Sequence, residues 1–130
     1  MADTEKVTIN MSVVDLGQVD LLVEEGFYSS RTDFIRTAIR NQLSTHSQEV
    51  RQAVTRKAMA IGVFSYDRRE LESLRANKEH LAIKAIGLLH IADDVSPELA
   101  HEVFESIEVL GVFRASTPVR EALEDRMKTS

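Results

Sequence analysis

The sequence predicts an α+β chain in two parts. Residues 1–46 read as a strand followed by two helices, residues 47–58 as a helical linker, and residues 59–130 as a small α/β domain of three strand–helix repeats. Three observations predict this. Residues 6–12 alternate apolar and polar side chains, and two stretches after them repeat with helical period. In the second half, a pattern of two apolar residues, Gly and two more apolar residues recurs three times.

The strand is Lys6-Val7-Thr8-Ile9-Asn10-Met11-Ser12, which sends Val7, Ile9 and Met11 to one face and Lys6, Thr8, Asn10 and Ser12 to the other. In the first helix Asp15 and Gln18 have capping-box spacing. Leu16, Val19, Leu22 and Val23 line one side, Gly17 weakens the first turn, and Gly26 is a natural stop. The second helix opens at Ser30, a capping residue, with Asp33 suiting its positive end. Its apolar stripe is Phe34, Ile35, Ala38, Ile39 and Leu43, with Arg36 and Arg40 on another side. One strand and two short helices are too little to bury a core alone. The simplest completion pairs the strand with the same strand of a second copy, as a two-stranded antiparallel ribbon in an intertwined homodimer held by residues 6–12 and the second helix.

The three glycine-centred blocks are Ala60-Ile61-Gly62-Val63-Phe64, Ala85-Ile86-Gly87-Leu88-Leu89 and Val109-Leu110-Gly111-Val112-Phe113, their glycines 25 and 24 residues apart. Each precedes a helix start: Asp67 with Glu70, Ser96 before Pro97, and Thr117 before Pro118. The helical stripes are Leu71 and Leu74; Leu99, Val103 and Phe104; and Val119, Leu123 and Met127. The period suits a short solenoid of three parallel strands backed by helices. The alternative is a small α/β domain whose strands look alike because they share the centre of one sheet. Open sheet edges make oligomerisation, to a tetramer or higher, the default role of this half.

Composition narrows the function. Apolar residues make up 43% of the 130, enough for a packed core. The chain has no cysteine, which excludes disulfides and thiolate metal sites and fits a reducing cytoplasm. No secretory signal or membrane-length apolar run is expected. The formal net charge is −5, and residues 1–50 hold eight acidic and four basic side chains, so nucleic-acid binding has to rest on placement rather than on overall charge.

The stretch Gly26-Phe27-Tyr28-Ser29-Ser30-Arg31-Thr32-Asp33-Phe34-Ile35-Arg36-Thr37-Ala38-Ile39-Arg40, following the strand and first helix, resembles the ribbon–helix–helix superfamily of the CopG, Arc and MetJ repressors and many antitoxins. The resemblance covers roughly residues 6–46. It implies a cytoplasmic, nucleoid-associated regulator, in the first instance a repressor, whose ribbon enters the major groove of double-stranded DNA. By position, Lys6, Thr8 and Asn10 are the expected base contacts, and their donors and acceptors suit base edges. Ser30, Arg31 and Thr32 are the expected phosphate contacts, at a helix start whose amides favour anions. Taken without the resemblance, the first three form an ordinary solvated strand face, Ser30 is a helix cap, and Arg31 is half of a surface ion pair. Tyr28 reads as a packing residue.

Two other functions fit the same residues. One is an antitoxin-like protein whose second half binds a protein partner while the first half autoregulates on DNA. The other is a DNA-binding structural protein that stacks end to end through its repeats. No enzyme motif, cofactor site or metal site is expected. GxSxG, HExxH, GxGxxG and Walker A patterns are absent, and His46, His80, His90 and His101 are scattered. The nickel-responsive members of the superfamily carry a cysteine and a dense histidine cluster that this sequence does not have. Asp93 and Asp94 read as acids favoured by a following helix start.

Overall fold

The computed structural model describes residues 3–128. They form two compact units, one of residues 6–53 and one of residues 54–128 together with residues 3–5.

In the first unit α1 spans Val13–Glu24 and α2 spans Arg31–Thr45; α3, Ser47–Lys57, follows after a break at His46. The capping box expected at Asp15 and Gln18 does not form. Helix α1 starts three residues earlier, with Ser12 in the cap position, so Asp15 already lies inside the first turn. There its carboxylate favours the positive helix end, and the Gln18 amide instead donates to the Val14 carbonyl at 3.3 Å. The stop at Gly26 is as expected. Its φ of +88° suits glycine, and the amides of Gly26 and Phe27 return to the Val23 and Leu22 carbonyls, closing the helix end.

The apolar stripes of α1 and α2 stay largely unburied within the single chain. Among residues 6–53 only Val19 is fully buried; Leu16, Leu22, Val23, Phe34 and Ile35 are half-buried, and Ala38, Ile39 and Leu43 are exposed. Tyr28 packs edge-on against Phe34 with ring centroids 5.0 Å apart, so it is a packing residue.

The second unit repeats strand then helix: β1 Ala60–Tyr66, α4 Arg68–Ala76, β2 Leu81–Ile91, α5 Pro97–Val103, β3 Phe104–Arg114 and α6 Thr117–Ala122, closed by a 3₁₀ turn at Glu124–Arg126. The strands form one parallel sheet in chain order, β1-β2-β3. Leu71, Leu89, Ile91, Val103, Phe104, Ile107 and Leu123 are among the buried side chains of the core between sheet and helices. Two of the expected caps form: Asp67 accepts from the Glu70 amide at 2.9 Å and Ser96 from the Leu99 amide at 3.1 Å.

The third cap falls one residue before its expected place. Ser116 accepts from the Val119 amide, Thr117 becomes the first helical residue, and Pro118 sits in the first turn, where a missing amide hydrogen costs nothing. Phe104 is not a helix residue. Helix α5 ends at Val103 and runs straight into β3, which places the Phe104 ring edge-on to Tyr66 at 5.6 Å.

The glycine repeat has a steric cause. Gly62, Gly87 and Gly111 lie side by side in register across the sheet. A Cβ on Gly87 would sit 2.2 Å from the Gly62 carbonyl oxygen, and one on Gly111 would sit 2.2 Å from that of Gly87. Both also have φ in the region that side chains disfavour, +135° and +120°. The recurring motif therefore marks one row of the sheet where each carbonyl presses on the next strand.

Candidate nucleic-acid interface

Residues 6–11 run into the α1 cap without regular secondary structure, and no described residue of their own chain pairs with them as a strand. Lys6, Thr8 and Asn10 are all exposed. So are the alternating aliphatics, Val7 at 78% and Ile9 at 65%. The segment leaves an aliphatic row and its backbone groups in water, an edge open to pairing. Met11 continues the apolar row into a shallow depression that it lines with Val19, Leu22 and Phe34.

The start of α2 is built by local hydrogen bonds. Ser30 accepts from the Asp33 amide at 3.0 Å, and the Asp33 carboxylate in return accepts from the amide and hydroxyl of Ser29, at 3.0 and 3.2 Å. This satisfies the third amide of the helix. The amides of Arg31 and Thr32 donate to no other described residue and remain available to an anion.

Arg31 is tied down. Its Nε and Nη2 donate to the two carboxylate oxygens of Asp20 on α1, at 2.7 and 2.8 Å. This pairing holds the Asp20 carboxyl below its ordinary value and raises Arg31 above its own. Both groups face solvent, so the pair fixes geometry more than it adds stability. It leaves the Nη1 hydrogens of a guanidinium held in a fixed direction.

The expected site residues thus fall into two groups within one unit. Lys6, Thr8 and Asn10 lie on one extended exposed segment, and Ser30, Arg31 and Thr32 lie at one capped helix start. Asp20 was not legible as part of the site, because it meets Arg31 from eleven residues away with no local motif to announce it. Lys6, Arg36 and Arg40 make no ion pair with another described residue, which leaves them as cations on a unit otherwise rich in acids. Among the described residues no group of three histidine or acidic side chains is placed to hold a metal ion, and no helix is long and apolar enough to cross a membrane.

An exposed segment of alternating aliphatic and polar residues thus precedes two helices, the second of them capped by Ser30. The chain belongs to the ribbon–helix–helix transcriptional regulator family, whose model matches residues 2–120. The match runs well past residues 6–46 and takes in the parallel sheet, so the second half belongs to the family pattern as much as the first. No curated protein and no solved structure matches the chain.

Proposed function

We propose that two copies of this chain pair residues 6–12 into an antiparallel ribbon, lay it in the major groove of double-stranded DNA, and regulate transcription there as a repressor, in the cytoplasm at the nucleoid. The observation that carries this reading is the surface of residues 6–53. Val7, Ile9, Ile39 and Leu43 are exposed and only Val19 is fully buried, so the unit has the patterning of a core without the contacts. Pairing two ribbons and packing α2 against its copy would place those side chains together.

The pairing turns Lys6, Thr8 and Asn10 of each copy toward the groove. Lys6 donates to guanine O6 and N7, Asn10 pairs with adenine through both ends of its amide, and Thr8 takes a base edge or a thymine methyl. The Arg31 and Thr32 amides grip the flanking phosphate with the α2 dipole behind them, and Arg31, anchored by Asp20, adds a directed charge. Backbone dipoles and a doubled contact set compensate for the net charge of −5.

The test is selection of bound duplexes from a random pool, followed by salt titration of the winner. Log affinity is expected to fall linearly with log salt, by about 0.9 per phosphate neutralised. In Lys6→Ala and Asn10→Ala the selected site should lose about 1–3 kcal/mol per contact, roughly 5- to 150-fold, with the dimer still folded. If both variants protect the same site with unchanged affinity, the ribbon is not the reader.

A further inference from the structure

All-parallel sheets are as a rule covered on both faces, because their strands are apolar on both. Here α4, α5 and α6 all lie on one face. Phe64, Tyr66, Ile83, Ala85, Val109 and Phe113 point into the core beneath α4, α5 and α6. The alternate residues of the same strands form the opposite face. In register across β1, β2 and β3 they make two aliphatic rows, Ile61–Ile86–Leu110 and Val63–Leu88–Val112. Ile61 is 62% exposed, Val63 50% and Leu110 38%, Ile86 and Val112 are half-buried, and Leu88 is buried. Residues 3–5 cover part of this face: Asp3, Thr4 and Glu5 lie beside Val63, Leu88 and Val112, held by Arg114, which donates to the Thr4 carbonyl at 2.7 Å and stands 3.6 Å from Glu5. Two acids and a threonine are a poor cover for an aliphatic surface.

The pattern says what fits there. Counted outward from the glycine row, each strand carries an aliphatic side chain one residue before and one residue after: Ile61 and Val63 about Gly62, Ile86 and Leu88 about Gly87, Leu110 and Val112 about Gly111. Three residues out on β3 the charges are opposite, Glu108 before Gly111 and Arg114 after it. The Glu108 carboxylate makes no hydrogen bond or ion pair with another described residue. On β2 the same positions hold Lys84 and His90, so the charge complementarity lies on β3 alone. Apolar on both sides of one row, with opposite charges beyond it on β3, the face is self-complementary along that strand under a two-fold axis along the row.

We propose that this outer sheet face is an interface between two copies of the chain, stacked sheet on sheet with strands antiparallel about the Gly62–Gly87–Gly111 row. Each aliphatic row then packs on the other row of the second copy. Each Arg114 exchanges Glu5 for Glu108 of the opposite copy, and residues 3–5 are displaced. This names the surface by which the second half oligomerises, and it stands apart from the ribbon, which uses other residues.

The chain has no cysteine, so a single one introduced is a clean probe. Leu110→Cys in the full-length protein, treated with a short bismaleimide, should give covalent dimer as the main product. Glu121→Cys, exposed on α6 away from this face, should give little. Adding Glu108→Arg to Leu110→Cys should lower the yield at least tenfold, and adding Arg114→Glu as well should restore it. The proposal is overturned if Leu110→Cys cross-links no better than Glu121→Cys, if it joins to a different protein, or if the double reversal fails to recover what the single one lost. Operator binding by the same preparations reports separately on the ribbon: loss of the cross-link with binding intact overturns this interface alone, and loss of binding with the cross-link intact overturns the ribbon alone.

Discussion

Gly17 and Gly87 show how differently one residue type is used in this chain. Gly17 lies inside α1 with nothing within 4 Å of where a Cβ would stand. Gly17→Ala is therefore expected to stabilise the protein by about 0.5–1 kcal/mol, read as a higher thermal midpoint. Gly87→Ala meets both the Gly62 carbonyl and an unfavourable φ. It is expected to cost about 2–3 kcal/mol or more and to unfold the second unit first, which hydrogen exchange of β2 amides would show. The Asp20–Arg31 pair gives a pH signature. A carboxyl held below its ordinary value in the fold stabilises the protein above its unfolded titration, and that contribution is lost as pH falls through the folded value. Asp20→Asn should therefore show a smaller drop in urea midpoint between pH 7 and pH 3 than the parent protein, and an equal drop would argue against the pair in solution. Sequence spacing could find Ser30 as a cap, because a cap is local. It could not find Asp20, because that contact depends on how two helices cross.

At the level of elements, local signals were legible and register-dependent ones were not. Asp67 and Ser96 declared their helices through side-chain-to-amide bonds spanning three residues. Asp15 and Thr117 have the same composition yet sit inside their helices, since Ser12 and Ser116 precede them and take the cap positions first. Strand ends were also hidden. Strands β2 and β3 extend well beyond the glycine blocks, because Leu81, Ile83 and Phe104 gain burial only once the neighbouring strand is in place. The caps carry an expectation of their own. Ser30→Ala removes the bond to the Asp33 amide and should cost about 1 kcal/mol of stability, and Ser30→Gly only a few tenths. DNA affinity should fall in both, since the Arg31 and Thr32 amides lose their fixed direction.

At the scale of the whole molecule, the two halves reach stability by different routes. The sheet unit buries its own core, with Leu71, Phe104, Ile107 and Leu123 fully enclosed, so Leu71→Ala should cost about 2–5 kcal/mol independent of protein concentration. Residues 6–53 bury almost nothing within one chain, and their order should depend on concentration, as for any fold completed by association. The fold class and the three repeats were legible because hydrophobic period is written along the chain. Helices backing three parallel strands were legible in the same way; which aliphatic side chains of the other face stay exposed was not, since that depends on where residues 3–5 lie.

The measurement that bears most directly on this account is isotope-filtered NMR on a mixture of labelled and unlabelled protein. Cross-strand contacts between residues 6–12 of one copy and residues 6–12 of another are expected, with Val7 and Ile9 contacting α2 side chains and Lys6, Thr8 and Asn10 left in solvent. Contacts of that segment solely within its own chain, or none between copies at concentrations where DNA is bound, would contradict it.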